Sequence, residues 1–306
     1  MRLLLTGAFA YSEAQLQKLR ALGAALVFQK DERGAPETDF AAVDAVVCNG
    51  LFLYHDIKEF KNLKCIQLTS AGLDRVPLDY IQEKGIHLYN ARGVYSVPMA
   101  EWALCGVLSI YKHLNDFAEK QKNHLWEKDR EVRELSGDTV LIVGCGSVGT
   151  ACAKRFKAFG MRVMAADIVK PKSDVYDAYF PMQEIDNALE TADVIVLTLP
   201  LTEETRGFFH AERFSHCKNG AILVNIARGA VVKEKDLTDT LVSGNLGGAV
   251  LDVFEDEPLS VESPLWDMEN VIVTPHNSFV SPKNNERLFS VMLQNIETFL
   301  KERNAK

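Results

Sequence analysis

Residues 140–167 read VLIVGCGSVGTACAKRFKAFGMRVMAAD, and the order of residue types in this stretch decides the fold. Val140–Val143 is a short apolar, β-branched run of the kind that forms a strand buried on both faces. It runs into Gly144-Cys145-Gly146-Ser147-Val148-Gly149, a G-x-G-x-x-G. Apolar residues then recur at helical spacing (Val148, Cys152, Phe156, Phe159) until Gly160 stops the helix. A second strand, Arg162–Ala166, ends at Asp167. Strand, glycine turn, helix, strand and terminal acid make one βαβ unit with the fingerprint of a dinucleotide site. Gly144 permits the tight turn, Gly146 leaves room for a pyrophosphate against the backbone, and Gly149 lets helix and strand pack closely. The helix start offers N–H groups and a partial positive charge to the phosphates. Asp167 stands where an acid accepts hydrogen bonds from the adenosine ribose, and its charge opposes a 2′-phosphate. That favours NAD, with NADP less favoured, although Lys170 and Lys172 lie nearby.

The rest of the composition is that of an ordinary globular chain. At 306 residues the length points to two domains, and 47% hydrophobic with 25% charged residues supplies ample core. A net charge of −8 argues against a nucleic-acid partner. No apolar run reaches the roughly 18 residues needed to cross a bilayer, so no membrane partner is expected. The N-terminal MRLLLTGAF is too short in its apolar part for a signal peptide and reads as a first strand. Six cysteines (48, 65, 105, 145, 152 and 217), mostly in apolar contexts and without a C-x-x-C, read as buried thiols in a reducing compartment. The expectation is a cytoplasmic protein without a metal site.

Outward from the glycine turn, the chain alternates strand and helix patterns in both directions. Before it stand strands at Arg2–Thr6, Ala25–Gln29, Val43–Val47, Lys64–Leu68 and Ile86–Tyr89, with helices at Ser12–Leu22 and Pro77–Lys84. A long apolar helix, Pro98 to about His113, leads into a charged excursion over Gln121–Arg133 that carries Trp126. After Asp167 the pattern predicts helices at Met182–Thr191, Ala211–Cys217 and Lys233–Ser243, and a helix start at Thr202–Thr205. Strands are expected at Val194–Leu199, Ala221–Ile226, Gly248–Val253 and Val271–Thr274, and a final helix at Pro282–Arg303. Repeated β-α-β with short connections gives an α/β fold of two doubly wound parallel sheets. We assign residues 1–97 plus 282–306 to one domain and 98–281 to the dinucleotide-binding domain, the final helix returning to the first.

Ligands in such sheets sit at the carboxyl ends of the strands, and there the polar residues concentrate. Ser70-Ala71-Gly72-Leu73-Asp74 is a small glycine-containing turn whose N–H groups suit a carboxylate, with Arg75 and Arg92 near the same rim. In the second half, Arg228 follows one buried strand, the acids of Asp252–Pro258 follow the next, and His276 follows the last. Singly, each has a plain structural explanation: a surface cap, a solvated turn, a histidine bonded to a carbonyl. Together on one rim they match a reaction. Reducing a 2-oxo acid needs a cation for the carboxylate, a proton for the carbonyl oxygen and a hydride. A guanidinium grips a carboxylate bidentately, and histidine titrates near neutrality. A carboxylate on the other ring nitrogen fixes the tautomer. Arg228, His276 and Glu257 fit these roles.

With SAGLD (70–74), NARGVYSVPMAE (90–101), GCGSVG (144–149), TLPLTEETRG (198–207), NIARG (225–229), LDVFEDEP (251–258) and TPH (274–276) in view, the chain resembles the D-isomer-specific 2-hydroxyacid dehydrogenase family over essentially its whole length. The resemblance implies a flavodoxin-like substrate domain and a Rossmann NAD domain with a cleft between them. It implies a catalytic trio of Arg228, Glu257 and His276, the glutamate being the acid just before the proline rather than Glu255. It places Ser70, Ala71 and Gly72, with Arg228, at the substrate. The cofactor falls to Gly144, Gly146, Ser147, Val148, Gly149, Asp167, Pro200, Thr205, Ala227 and Asp252. It also implies a homodimer paired through the nucleotide domain. One departure is the run Asn277–Ser281 after the histidine, where Phe279 replaces small residues common in the family. The chain also ends about 30 residues after His276, unlike the long regulated phosphoglycerate dehydrogenases.

The expected activity is hydride transfer between NAD(H) and a small D-2-hydroxy acid/2-oxo acid pair. Candidate substrates are glyoxylate, hydroxypyruvate, a phosphorylated hydroxy acid bound with help from Arg75 or Arg92, or an aliphatic 2-oxo acid meeting Phe52, Tyr54, Tyr95 or Phe279. The alternative is an NAD(H)-sensing, corepressor-like member of the same fold that binds the nucleotide with negligible turnover.

Overall fold

A computed structural model describes residues 1–304, in which the chain forms two compact units. The first comprises Met1–Tyr95 and the chain from Ser281 onward; the second is Ser96–Val280. The first change of unit falls before Pro98 because the long helix already starts at Ser96.

In the first unit the elements are β1 (Arg2–Thr6), α1 (Glu13–Ala21), β2 (Ala25–Gln29), β3 (Ala45–Cys48), β4 (Cys65–Leu68), α2 (Leu78–Glu83) and β5 (His87–Tyr89). The strands pair in parallel in the order β2-β1-β3-β4-β5. Leu3, Leu4 and Leu5 are all buried although their side chains alternate between faces, so this sheet is covered on both sides. Leu3, Leu5, Ala45 and Val47 pack with Leu288, Met292, Ile296 and Phe299 of the C-terminal helix (Asn284–Asn304). On the other face Leu4, Val46, Ile66 and Leu68 pack with Phe40, Leu51, Phe60 and Ile81. Ser12 starts α1 with a capping box, its hydroxyl accepting the Gln15 N–H while the Gln15 side chain accepts the Ser12 N–H.

The second unit opens with α3 (Ser96–Tyr111) and α4 (Leu114–Lys122). Then follow β6 (Thr139–Val143), α5 (Ser147–Ala158), β7 (Arg162–Asp167), β8 (Ala178–Pro181), α6 (Ile185–Leu189), β9 (Val194–Leu197) and α7 (Ala211–Ser215). The unit closes with β10 (Ala221–Asn225), α8 (Glu234–Val242), β11 (Leu246–Leu251) and β12 (Val271–Val273). Its seven strands are parallel in the order β12-β11-β10-β9-β6-β7-β8. The chain builds outward from β6 to β8 and returns on the other side with β9. The crevice beyond β6 and β9 is therefore the switch point at which such sheets take ligands. Both faces are covered: Val140, Ile142, Val196 and Val224 meet α3 and α5, while Leu141, Val143, Ile195 and Leu223 meet Ile185, Phe209, Phe214 and Leu237. A Cβ on Gly106 would lie 2.5 Å from Val250 Cγ1, so α3 rests on β11 through a missing side chain.

The differences from the sequence reading are local. Strand β8 is unforeseen, since Ala178–Pro181 is half-buried at the sheet edge and lacks a continuous apolar run. The helix expected over Met182–Thr191 is a 3-10 turn (Met182–Glu184) followed by the short α6. Thr202–Thr205 does not start a helix: the Thr205 hydroxyl accepts the Thr202 N–H and donates to the Pro200 carbonyl, closing a turn. The excursion after α3 begins with α4 and carries Trp126, which is 98% exposed. It rejoins the sheet through Arg133, whose guanidinium lies 4.2 Å from the Tyr111 ring centroid and bonds Asp138.

Candidate active site

The glycine turn sits at the switch point of the seven-stranded sheet. Gly144 has φ +92°, a left-handed conformation that glycine adopts without strain, and a Cβ there would lie 2.9 Å from the Thr198 carbonyl carbon. The Thr198 hydroxyl donates to the Gly144 carbonyl, tying the end of β6 to the end of β9. A Cβ on Gly149 would come within 2.1 Å of the Gly144 carbonyl oxygen, so this glycine sets how closely α5 approaches β6. Gly146 differs: nothing lies within 4 Å of where its Cβ would be. It caps a 12-residue helix without a side-chain cap bond. Open space over a bare backbone at a helix N-terminus fits a pyrophosphate.

Asp167 ends β7 and accepts the Cys145 N–H at 2.6 Å, which ties the acid to the glycine turn. Its other oxygen receives the Val169 N–H at 3.3 Å. Burial pushes the Cys145 thiol up to about 12, so this side chain brings no negative charge to the loop at neutral pH. Ser147 and Val148 open α5, and Pro200 and Thr205 form the turn beyond β9.

The three residues expected to carry the chemistry follow three neighbouring strands. Asn225, Leu251 and Val273 lie in one register across β10, β11 and β12. Arg228 and His276 each stand three residues beyond that line, and Glu257 lies in the turn that follows the strand between them. Adjacent parallel strands are about 4.8 Å apart, so the strand ends carrying Arg228 and His276 are separated by only one intervening strand. His276 Nδ1 lies 2.8 Å from Glu257 Oε2, and Glu257 Oε1 accepts the Phe254 N–H at 3.2 Å. The contact fixes the imidazole with Nδ1 toward the acid, leaving Nε2 for chemistry. The Phe279 ring stands edge-on to the imidazole, centroids 6.0 Å apart, so the departure at 279 forms a wall of the histidine's environment.

His276 has φ +50°, an unusual backbone state for a residue with a Cβ. Asp252, fully buried, holds it there. Its Oδ1 accepts the Thr274 hydroxyl and the Asn277 N–H, both at 2.7 Å, and its Oδ2 accepts the Ser278 N–H at 2.9 Å. Its carbonyl accepts the His276 N–H. The carboxylate expected at the cofactor thus accepts three hydrogen bonds from the histidine turn. Arg228 is held by two residues that the sequence analysis quoted within NIARG without giving them a role. Buried Asn225 accepts the Ala227 N–H and donates to the Arg228 carbonyl. A Cβ on Gly229 would lie 1.8 Å from the Phe254 carbonyl carbon, so only glycine lets this loop touch the Glu257 turn. The signal was available: a polar residue ending a wholly buried strand, and a glycine just after the arginine. Glu234 and Glu255 accept each other's backbone N–H groups, and burial, with the charges of Glu255 and Asp256, raises the Glu234 carboxyl.

In the first unit, Ser70-Ala71-Gly72 follows β4. The three carbonyls of this turn are each capped: Ser70 by the Ala91 N–H, Ala71 by the Asn90 amide at 2.7 Å, and Gly72 by the Ser70 hydroxyl at 3.0 Å. Capping removes the acceptors that would repel an arriving carboxylate. Asn90, quoted in the sequence analysis within NARGVYSVPMAE but given no role there, caps the Ala71 carbonyl from the end of β5.

A family model described as D-isomer specific 2-hydroxyacid dehydrogenase, NAD binding domain, matches residues 104–278. Hydroxypyruvate reductase from Thermotoga maritima is 35% identical over 249 residues, covering 80% of this chain and 79% of its own. The solved structure of D-lactate dehydrogenase from Aquifex aeolicus, complexed with NAD and lactic acid, superposes with a TM-score of 0.81 at 27% identity, covering 98% of this chain and 96% of that one. An NADPH-dependent glyoxylate/hydroxypyruvate reductase from Sinorhizobium meliloti, in complex with NADP and sulfate, gives a TM-score of 0.80 at 27% identity, with coverage of 99% and 96%.

Proposed function

Because the chain belongs to the D-isomer specific 2-hydroxyacid dehydrogenase family, we propose that it interconverts a short 2-oxo acid and its D-2-hydroxy acid with NAD(H), using Arg228, Glu257 and His276. The class of the enzyme, an NAD(P)-dependent oxidoreductase acting on 2-hydroxy acids, rests on the family. The residue roles and the substrate are our reading. The observation that carries it is the 2.8 Å contact between His276 Nδ1 and Glu257 Oε2, one strand away from the Arg228 loop.

Bound nicotinamide supplies the hydride to C2 in reduction and accepts it in oxidation. Arg228 receives the substrate carboxylate as a bidentate pair, which orients C2 and polarises the adjacent carbonyl. His276 donates the Nε2 proton to the carbonyl oxygen in reduction and takes it back in oxidation. Glu257 orients the ring and stabilises the imidazolium before transfer. The turn Ser70–Gly72 is assigned the binding of a carboxylate through its backbone. We favour NAD over NADP because the Asp167 carboxylate, which accepts the Cys145 N–H, would repel a 2′-phosphate. Gly144, Gly146, Ser147, Val148, Gly149, Pro200, Thr205 and Ala227 would hold the dinucleotide, with Asp252 supporting it through the histidine turn. The relative from Thermotoga maritima makes hydroxypyruvate the first substrate to try, with glyoxylate next. A cytoplasmic homodimer completes the proposal, the six thiols being free and the segment carrying Leu114, Leu125 and Trp126 exposing apolar surface.

The test is NADH oxidation with hydroxypyruvate, glyoxylate, pyruvate and 3-phosphohydroxypyruvate, NADPH in parallel. Turnover lost in His276→Ala, with NADH binding retained, is the expected result. Tight NADH binding without turnover on any of them would overturn the reading in favour of a nucleotide sensor.

A further inference from the structure

The first unit has its own topological switch point, between β1 and β3, and in doubly wound sheets this is where ligands bind. Here the crevice is filled by the chain itself. Glu32 Oε2 accepts the Gly50 N–H at 2.7 Å, while Oε1 accepts the Asn49 N–H at 2.7 Å and the Thr6 hydroxyl at 2.6 Å. Two successive backbone N–H groups and a buried hydroxyl converging on one carboxylate form an anion nest. The loop that delivers Glu32 is rigidly built. Fully buried Gln29 donates to the carbonyls of Asp31 and Ala35 and accepts the Glu37 N–H. Gly7, whose Cβ would lie 2.0 Å from the Lys30 carbonyl oxygen, lets the loop start against the end of β1.

The consequence falls on the segment after β3. Residues 49–54 run from the nest into Phe52, Leu53 and Tyr54, of which Leu53 and Tyr54 are exposed by 57% and 50%. Phe52 is pinned against Phe60 with ring centroids 5.4 Å apart, and the Arg33 guanidinium lies 5.6 Å from the Tyr54 ring centroid. The same rim carries the Ser70–Gly72 turn on the neighbouring strand, since β3 and β4 pair directly and the Thr69 N–H bonds the Cys48 carbonyl.

We propose that Glu32 is a positioning residue: its carboxylate is the built-in occupant of an anion site at the β1/β3 crevice and fixes the 49–54 segment, and a free small carboxylate can take its place. The link to turnover rests on the function proposed above; the anion site does not.

The test uses the full chain. Glu32→Ala removes a CH2–COO⁻ group, and acetate restores that group without the tether. Thermal unfolding is followed for wild type and Glu32→Ala with acetate up to about 0.1 M at fixed ionic strength, with acetamide as the neutral control. Acetate should raise the unfolding temperature of Glu32→Ala by clearly more than that of wild type, in which it can reach only the proposed substrate site, and acetamide should raise neither. Equal responses of the two proteins, or a folded Glu32→Ala indifferent to acetate, would overturn the anion site. Should Glu32→Ala fail to fold without acetate, its refolding in acetate against acetamide gives the same discrimination. Glu32→Gln then reads the positioning role: it turns an amide N–H₂ toward the nest's donors, and KM for the 2-oxo acid should rise about tenfold with kcat within about twofold. An unchanged KM would sink that role. Absence of turnover in wild type would instead sink the proposed function and leave the acetate result standing.

Discussion

Replacing Asp252 by Asn separates two tasks that one residue could perform. The substitution keeps shape and burial but converts one carboxylate oxygen into an amide nitrogen. If Oδ1 keeps its two donors, the Thr274 hydroxyl and the Asn277 N–H, the new NH₂ faces the Ser278 N–H that now sits 2.9 Å from Oδ2. A buried donor left unsatisfied costs about 1–3 kcal/mol, and the two surviving bonds lose their charge assistance, roughly another 1 kcal/mol in all. Relief from burying a charge offsets part of this, so a net loss of about 2–3 kcal/mol is expected. For a unit of this size that is a drop of roughly 5–10 °C in apparent Tm. The loss should concentrate in the histidine turn, because the left-handed backbone at His276 is held against a cost of about 1–2 kcal/mol. With the turn loosened, kcat for reduction should fall about 10- to 100-fold, the factor that corresponds to about 1.4–2.8 kcal/mol. NADH affinity, measured by fluorescence quenching, should stay within about threefold. A large fall in NADH affinity with unchanged turnover of the bound complex would refute this reasoning and return Asp252 to the cofactor.

Two glycines of the nucleotide turn should fail in different ways. Gly146→Ala enters open space, so the protein should keep its Tm while NADH binding weakens about 100-fold, roughly 2.7 kcal/mol of lost phosphate approach. Gly149→Ala meets the Gly144 carbonyl oxygen at 2.1 Å and should lower Tm as well; matching behaviour of the two variants would contradict the division. Asp177 is held below the usual carboxylate range by the Lys157 ammonium and by the Val163 N–H. A depressed native pKa contributes stability that is present above the unfolded value near 3.8 and lost as pH falls through the native one. Asp177→Asn should therefore unfold a few degrees below wild type at pH 7, and the gap should close as the pH drops through 4 toward 3. A gap that stays constant with pH would show that the charge contributes nothing.

Periodicity located most elements because the sheets are buried on both faces, which writes their strands as continuous apolar runs such as Val194–Leu197 and Ala221–Asn225. Where burial is partial the signal fades, and β8 with its half-buried Ala178–Pro181 was invisible for that reason. Composition misled at Thr202–Thr205, where threonines and acids that favour a helix start instead close a turn through their own hydroxyls. In the site, residue type nominated Arg228, His276 and the acids of Asp252–Pro258 for the proposed chemistry, and the family resemblance chose Glu257 among those acids. It gave no role to Asn225, whose amide folds its own loop back onto the Arg228 carbonyl, nor to Gly229 and Asn90, which act through contacts with a neighbouring segment 19 or more residues away. Asp252 shows the limit most plainly: an acid at a strand end does not announce that it also holds the next turn.

The arginine loop, the acid turn and the histidine turn come from three consecutive strands, all within residues 225–278. The proposed proton chemistry is thus encoded in one uninterrupted stretch, while the Glu32 loop and the segment it fixes lie within the first 54 residues. Recombination breakpoints placed before Ser96 and after Val280, where the chain changes unit, would carry the whole trio as a cassette. Inheritance can then vary the rim at Asn49–Tyr54 in one lineage after another while the proposed acid–base residues travel together in a separate unit.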